Sequence, residues 1–324
     1  MLPVRGSAEL LLPAPGGMMF DGVSRRRFLA AVPPALLPLL LPRHLIAAAG
    51  RDRPSDPDLE RLRAWSARLR DEGLDRADRP FGWGVTRAGE LAAGSPYVAF
   101  TLEEYLAAGG APAEEPLALS LTRFDCVTLV ESAIAVARAA LASEQPSWEG
   151  FGREVERMRY RDGRRDGYAS RLHYFSEWIA DGARRGLLTD LGPSLGAMAD
   201  ARPLRFMTEH RASYAALADD ATFARIAEVE RGLDGAPRQV VPRDRIADVA
   251  DRIESGDVLA FATSIPGLDV THAALAWKRE GELRVLHAPL SGGVVEVTRS
   301  TLPEYVAALR GCTGILVARP LRGP

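Results

Sequence analysis

Lysine is nearly missing from this chain. Lys278 is the only one, and every other basic residue is an arginine. That bias reads as composition and implies no function. Excess basic charge is missing too: 41 basic residues face 43 acidic ones, for a formal net charge of −2. Such a balance leaves no electrostatic footprint for nucleic acid and argues against it as a partner. Only two cysteines occur, Cys126 and Cys312, and none of the short ligand spacings of a structural zinc motif is present. No internal repeat or low-complexity tract stands outside the N-terminal segment, and nothing calls for a cofactor or a metal. The apolar run from Ala30 through Leu41 is broken by Pro33, Pro34 and Pro38, and is too short for a comfortable membrane span.

What is present is ordinary for a globular protein. Hydrophobic residues make up 47% and charged residues 26% of 324 positions, enough for one large or two ordinary domains. Residues 1–49 are expected to be a targeting segment. Ser24-Arg25-Arg26-Arg27-Phe28-Leu29 has the form of a twin-arginine export signal, and Ala47-Ala48-Ala49 offers small residues to a signal peptidase. An uncleaved anchor is the alternative. Met1 to Gly17 is unusual ahead of such a signal, so Met18 or Met19 is an alternative start. The expected location is periplasmic or otherwise extracytoplasmic, where oxidising conditions leave a Cys126–Cys312 disulfide open. Residues 50–95 are expected to hold one amphipathic helix, with Leu59, Leu62, Trp65 and Leu69 on one face, followed by an irregular linker. Residues 96–320 would form the main domain, with a helical insertion at about 195–235.

The chain is organised around Arg123-Phe124-Asp125-Cys126-Val127-Thr128. An apolar run, Leu117 to Leu121, reads as a strand leading in. Val127, Val130, Ile134 and Ala137 then recur at helical spacing. Asp125 is a good N-cap, which puts Cys126 in the first helical turn. Backbone N–H groups and the macrodipole favour negative charge there, and a thiolate is the nucleophilic form of cysteine. The bland alternative is a small buried hydrophobe.

Farther on, Tyr168 to Ile179 carries Leu172, Phe175, Trp178 and Ile179 as an apolar stripe, with Ser170 as a candidate cap. Arg171, His173 and Tyr174 lie off that stripe near the expected helix start, a placement suited to holding a carboxylate or carbonyl. Arg171 is the candidate clamp; the competing reading gives it an internal ion pair with Asp166 or Glu177. Residues 204–233 read as mostly helical, and His210 within them as structural.

The period changes in the C-terminal third. Strands are expected over Val258–Ala262, Thr271–Trp277, Leu283–Ala288, Gly293–Val297 and Gly314–Ala318, with a hairpin turn at Glu280-Gly281-Glu282. A helical half followed by a small antiparallel sheet is the α+β class. His272 opens one strand and His287 ends the next, so antiparallel pairing brings them close. A thiolate needs a base that takes and returns a proton, and that base needs an orienting partner. His272 fits the first role and His287 the second. A zinc site from Cys126, His173, His272 and His287 is the competing reading of the same residues.

Four separated segments resemble the N-acetylmuramoyl-L-alanine amidase-like family, a former domain of unknown function among the NlpC-type, papain-like cysteine peptidases. They are Phe124 to Glu131, Ser170 to Ser176, Gly267 to His272, and Leu286-His287-Ala288. The resemblance covers the chain from about Pro96 to Pro320. It implies a papain-like α+β fold, a catalytic set of Cys126, His272 and His287, and a bacterial cell-wall peptide substrate. Substrate contacts would come from Arg171, His173, Tyr174, Asp125 and Thr271. One departure is Ala288-Pro289, where a serine is expected after the alanine; Pro289 removes a backbone donor. The expected activity is cleavage of the N-acetylmuramoyl–L-alanine bond of peptidoglycan or muropeptides. A stem-peptide endopeptidase, cutting between D-Glu and diaminopimelate, and a non-enzymatic muropeptide binder are the alternatives.

Overall fold

A computed structural model describes residues 54–289 and 293–323. The expected export signal lies outside them, as do Leu290 and Ser291. Among the described residues no helix is long and apolar enough to cross a membrane.

The longer helices are α1 (Asp56–Asp71), α2 (Phe81–Leu91), α3 (Cys126–Ala142), α4 (Trp148–Arg159), α5 (Phe175–Arg184), α6 (Asp220–Gly232) and α7 (Leu302–Ala308). The strands are β1 (Leu188–Asp190), β2 (Met198–Asp200), β3 (Arg238–Pro242), β4 (Val258–Thr263), β5 (Val270–Arg279), β6 (Glu282–His287), β7 (Glu296–Thr301) and β8 (Cys312–Pro320). They form one antiparallel sheet in the order β2-β3-β8-β4-β5-β6-β7, with β1 also paired to β8. Helices and antiparallel sheet together make the α+β class expected from the sequence.

Apolar alternation along the strands splits the core in two. Ala260, Ala273, Leu275, Leu286 and Leu316 join α1 through α5 in one cluster. Leu259, Phe261, Ala274, Val285 and Ile315 face the other way, against Leu302 and Val306 of α7. The helix α3 is buried along nearly its whole length, which fits its alanine-rich sequence: small side chains let it run between its neighbours and the sheet.

Several expectations fail for physical reasons. Residues 71–95 are not an irregular linker, because α2 lies there and packs into the main cluster through Phe81, Val85 and Ala88. Its glycines hide it from propensity reasoning, yet they are what lets it pack. A Cβ at Gly84 would lie 2.3 Å from Leu74, and one at Gly89 would lie 2.8 Å from Leu286. Leu117–Leu121 is not a strand. Side chains, rather than a neighbouring strand, take up its backbone: Leu121 N–H donates to Asp58 (2.7 Å), and Arg159 and Arg61 donate to the carbonyls of Ala118 (2.6 Å) and Leu121 (2.8 Å). The fourth expected strand shifts to Glu296–Thr301, whereas the 204–233 stretch is mostly helical as expected, in short helical turns leading into α6. The lone lysine has a specific use: Lys278 Nζ donates to the carbonyls of Ala250, Asp251 and Ile253 (3.3, 2.9 and 3.2 Å).

Candidate active site

Cys126 is the first residue of α3 and is half-buried. Asp125 caps the helix through a reciprocal box. Its carboxylate accepts from Thr128 N–H (2.8 Å), and Thr128 Oγ1 accepts from Asp125 N–H (2.9 Å). Burial pushes the Asp125 carboxyl up, against the pull of those Thr128 bonds. Asp125 therefore builds the helix start, and its carboxylate is already engaged there rather than turned to a substrate.

Two sets of contacts fix where that helix start sits. Below it, the buried Arg159 and Glu131 pair at 2.7 Å, and Arg159 also holds Ala118. Beside it, Pro96 to Val98 bridges to the chain beyond β6. Phe124 N–H donates to Pro96 O (3.1 Å), Val98 N–H to Phe124 O (2.8 Å), and Tyr97 N–H to Gly293 O (2.8 Å). The tip of α3 is thus tied to the segment ahead of β7, the strand whose Glu296 pairs with His287.

The two strand histidines meet. His272 Nε2 and His287 Nδ1 are 2.9 Å apart, and both residues are buried. A bulge sets this up: Phe261 pairs with His272 but Ala262 pairs with Val270, so Thr271 is the extra residue. Bulges re-aim side chains in this way. The His272 ring then lies parallel to Phe261, with centroids 5.7 Å apart. Tyr305, on α7, adds an edge contact to His287 (5.4 Å), with its hydroxyl 3.4 Å from Nδ1.

Burial, and then the neighbouring His287, hold His272 well below the usual histidine range; burial alone lowers His287 to about 4. Both rings are therefore neutral at neutral pH. His272 Nδ1 is buried and has no hydrogen-bond partner among the described residues. Burial, and next the charge of Cys126, raise the Tyr305 hydroxyl, so the thiol is felt at the tyrosine that packs against His287.

Most of the remaining candidates are engaged with the protein itself. Arg171 is buried, pairs with Glu103 (2.7 Å) and Glu115 (3.5 Å), and lies 4.8 Å from the Tyr168 ring centroid. Burial opposes its charge, but Glu115 and Glu103 outweigh that and keep the guanidinium ionised. Neither expected internal partner is used: Asp166 pairs with Arg225, and Glu177 with Arg161. A direct clamp is not what the structure shows, because protein carboxylates already match the charge. The expected helix start is also displaced. Ser170 ends a short turn, and α5 begins only at Phe175. Tyr174 is a core residue that donates to Glu230 (2.6 Å), and His173 bonds the Tyr168 carbonyl (2.8 Å). Thr271 is half-buried at the bulge beside His272. Cys126 and Cys312 are not joined by a disulfide. Among the described residues no three His, Cys, Asp or Glu side chains are grouped to hold a metal ion. Tyr305 escaped the sequence reading, since nothing local connects it to a histidine two elements away.

The family described as N-acetylmuramoyl-L-alanine amidase-like matches residues 87–313. Among solved structures, an N-acetylmuramoyl-L-alanine amidase from Bacteroides uniformis is 31% identical, with a TM-score of 0.68 over 74% of this chain and 99% of that one. A Bacteroides fragilis protein with a provisional xylanase name is 34% identical, with a TM-score of 0.65 over 72% and 99%. A Legionella pneumophila protein shares the fold at 18% identity, with a TM-score of 0.59 over 82% and 95%. No curated protein matches the chain. The chain belongs to the N-acetylmuramoyl-L-alanine amidase-like family, which gives it a peptidoglycan amidase-like role.

Proposed function

We propose that this protein is a cysteine-dependent amide hydrolase that cleaves the N-acetylmuramoyl–L-alanine bond of peptidoglycan or of soluble muropeptides. In this reading the fold is papain-like of the NlpC type, Cys126 is the nucleophile, His272 the base and His287 its orienting partner. The observation that carries it is the His272–His287 hydrogen bond, which leaves His272 Nδ1 buried and unbonded, while the thiol is felt at Tyr305 beside His287. The Arg25-Arg26 pair in Ser24 to Leu29 supports a reaction outside the cytoplasm.

The chemistry follows from the tautomers. For Nδ1 of His272 to take a proton, neutral His272 carries its own on Nε2 and uses that N–H to hydrogen-bond His287 Nδ1. His287 is then protonated on Nε2. The S–H proton passes to His272 Nδ1 while sulfur bonds the lactyl carbonyl carbon. The first turn of α3 favours the negative charge that develops. Collapse breaks the C–N bond, and the L-alanine nitrogen takes the proton back from His272. Water, deprotonated by His272 Nδ1, then attacks the thioester; the C–S bond breaks, the muramyl acid leaves, and sulfur takes the proton back from His272. A glycosidase would need two carboxyl groups flanking the bond, whereas this cluster offers a thiol, two imidazoles and a phenol.

Mass spectrometry of muropeptide digests tests the proposal. Release of intact stem peptide by wild type and not by Cys126→Ala is the expected result. Products cut between D-Glu and diaminopimelate would move the assignment to the endopeptidase, and binding without turnover to the non-enzymatic reading.

A further inference from the structure

Phe100 is held in the left-handed region, with φ at 60°, which a bulky side chain adopts only at a cost. It is also 48% exposed, one of few large apolar side chains so placed. Such strain persists only where the surroundings fix it, and here two anchors do. On one side Val98 N–H donates to Phe124 O (2.8 Å), two residues before Cys126. On the other, Glu103 N–H donates to Phe100 O (3.0 Å), and the Glu103 carboxylate is gripped by the buried Arg171 (2.7 Å). Val294, bridged to Pro96, is 44% exposed.

We infer that Phe100 is a saccharide platform beside Cys126, taking the apolar C–H face of the muramyl ring, and that the Arg171–Glu103 pair holds the turn in that pose. The inference rests on the amide-hydrolase reading. A pyranose presents a face of C–H groups with slight positive character, which suits the negative face of an arene, while its hydroxyls stay in water. The lactyl ether puts the scissile carbonyl only a few bonds from the sugar, so a platform next to the tip of α3 is within reach of the ring. Arg171 then acts as a positioning residue, through Glu103, rather than by touching substrate.

The test compares two amides with the same L-alanyl peptide, one bearing the muramyl sugar and one bearing a lactoyl group alone. Phe100→Ala is expected to lower kcat/KM about tenfold on the muramyl amide, through KM, and to leave the lactoyl amide nearly unchanged. Phe100→Gly accepts the left-handed backbone without strain; it should lose the same activity with Tm equal or higher. Glu103→Gln should lower activity on the muramyl amide alone, and add nothing to Phe100→Ala. Equal losses on both substrates would assign the ring to the peptide and overturn the inference, as would wild-type activity in Phe100→Ala. If wild type turns over neither amide, the hydrolase reading fails. The platform is then decided by calorimetry, standing only if Phe100→Ala weakens binding of the muramyl amide.

Discussion

His272 and His287 are joined through Nε2 and Nδ1 at 2.9 Å, and that single bond decides which nitrogen of His272 is left for chemistry. His272→Ala removes the base and should lower kcat by about 10³-fold or more; His287→Ala, which removes only orientation, should cost about 10²-fold. Tyr305→Phe keeps the ring against His287 and should cost severalfold to about tenfold. Steady-state kinetics on a muropeptide substrate rank the three. A His272→Ala enzyme near wild type would redirect the search for the base, and His173 would be next.

Cys126 should react before Cys312. Cys312 is 7% exposed, its thiol donates to Gly314 O (3.3 Å), and burial raises its pKa, so little thiolate is available there. Iodoacetamide followed by peptide mapping should find Cys126 labelled first, with loss of activity tracking that label. Cys126→Ser should be folded and inactive. Recovery of a Cys126–Cys312 disulfide from the native protein would count against the assignment.

The histidine pair also ties stability to pH. His287 titrates near 4 in the folded protein and near 6.5 in an unfolded chain. A lowered folded pKa gives stability that is complete above 6.5 and is lost as pH falls towards 4, because the unfolded chain takes up the proton first. The loss is roughly 3 kcal/mol for this shift. Buried carboxyls titrate in part of the same window with the opposite sign, so the contribution is read by difference. Urea midpoints of wild type and His287→Gln from pH 7 to 4 should show the steeper fall in wild type. Parallel curves would mean that His287 is not held neutral.

The Glu131–Arg159 pair anchors the nucleophile's helix from below. Both side chains are buried, and removing one member of such a pair strands a charge, typically at about 3–5 kcal/mol. Glu131→Ala should therefore lower the urea midpoint markedly, and kcat only as far as unfolding accounts for it. Full stability in that variant would mean that the pair does not anchor the helix.

Export should depend on Arg25 and Arg26. The Arg25→Lys plus Arg26→Lys precursor is expected to stay in the cytoplasm on cell fractionation, and unchanged export would end the twin-arginine reading.

Sequence alone determined the parts of this protein whose signals are local. Asp125 ahead of an alanine-rich helical period set the start of α3 at Cys126. Glu280-Gly281 between two apolar runs set the β5–β6 hairpin, and with it the nearness of His272 and His287. Tertiary structure decided what depends on side chains far apart in the chain. A bulge at Thr271 aims His272, and α7 returns to set Tyr305 against His287. Glycine-rich 81–91 is held as a helix by packing Phe81, Val85 and Ala88 into the main core, with Gly84 and Gly89 where neighbours leave no room for a Cβ, while Leu117–Leu121 escapes the sheet because Asp58, Arg61 and Arg159 take up its backbone. Arg171 found its carboxylate in Glu103, 68 residues away, and not in the neighbours at hand. Caps, turns and periodicity act over a few residues and are written there; charge matching and close packing are settled only when distant segments meet.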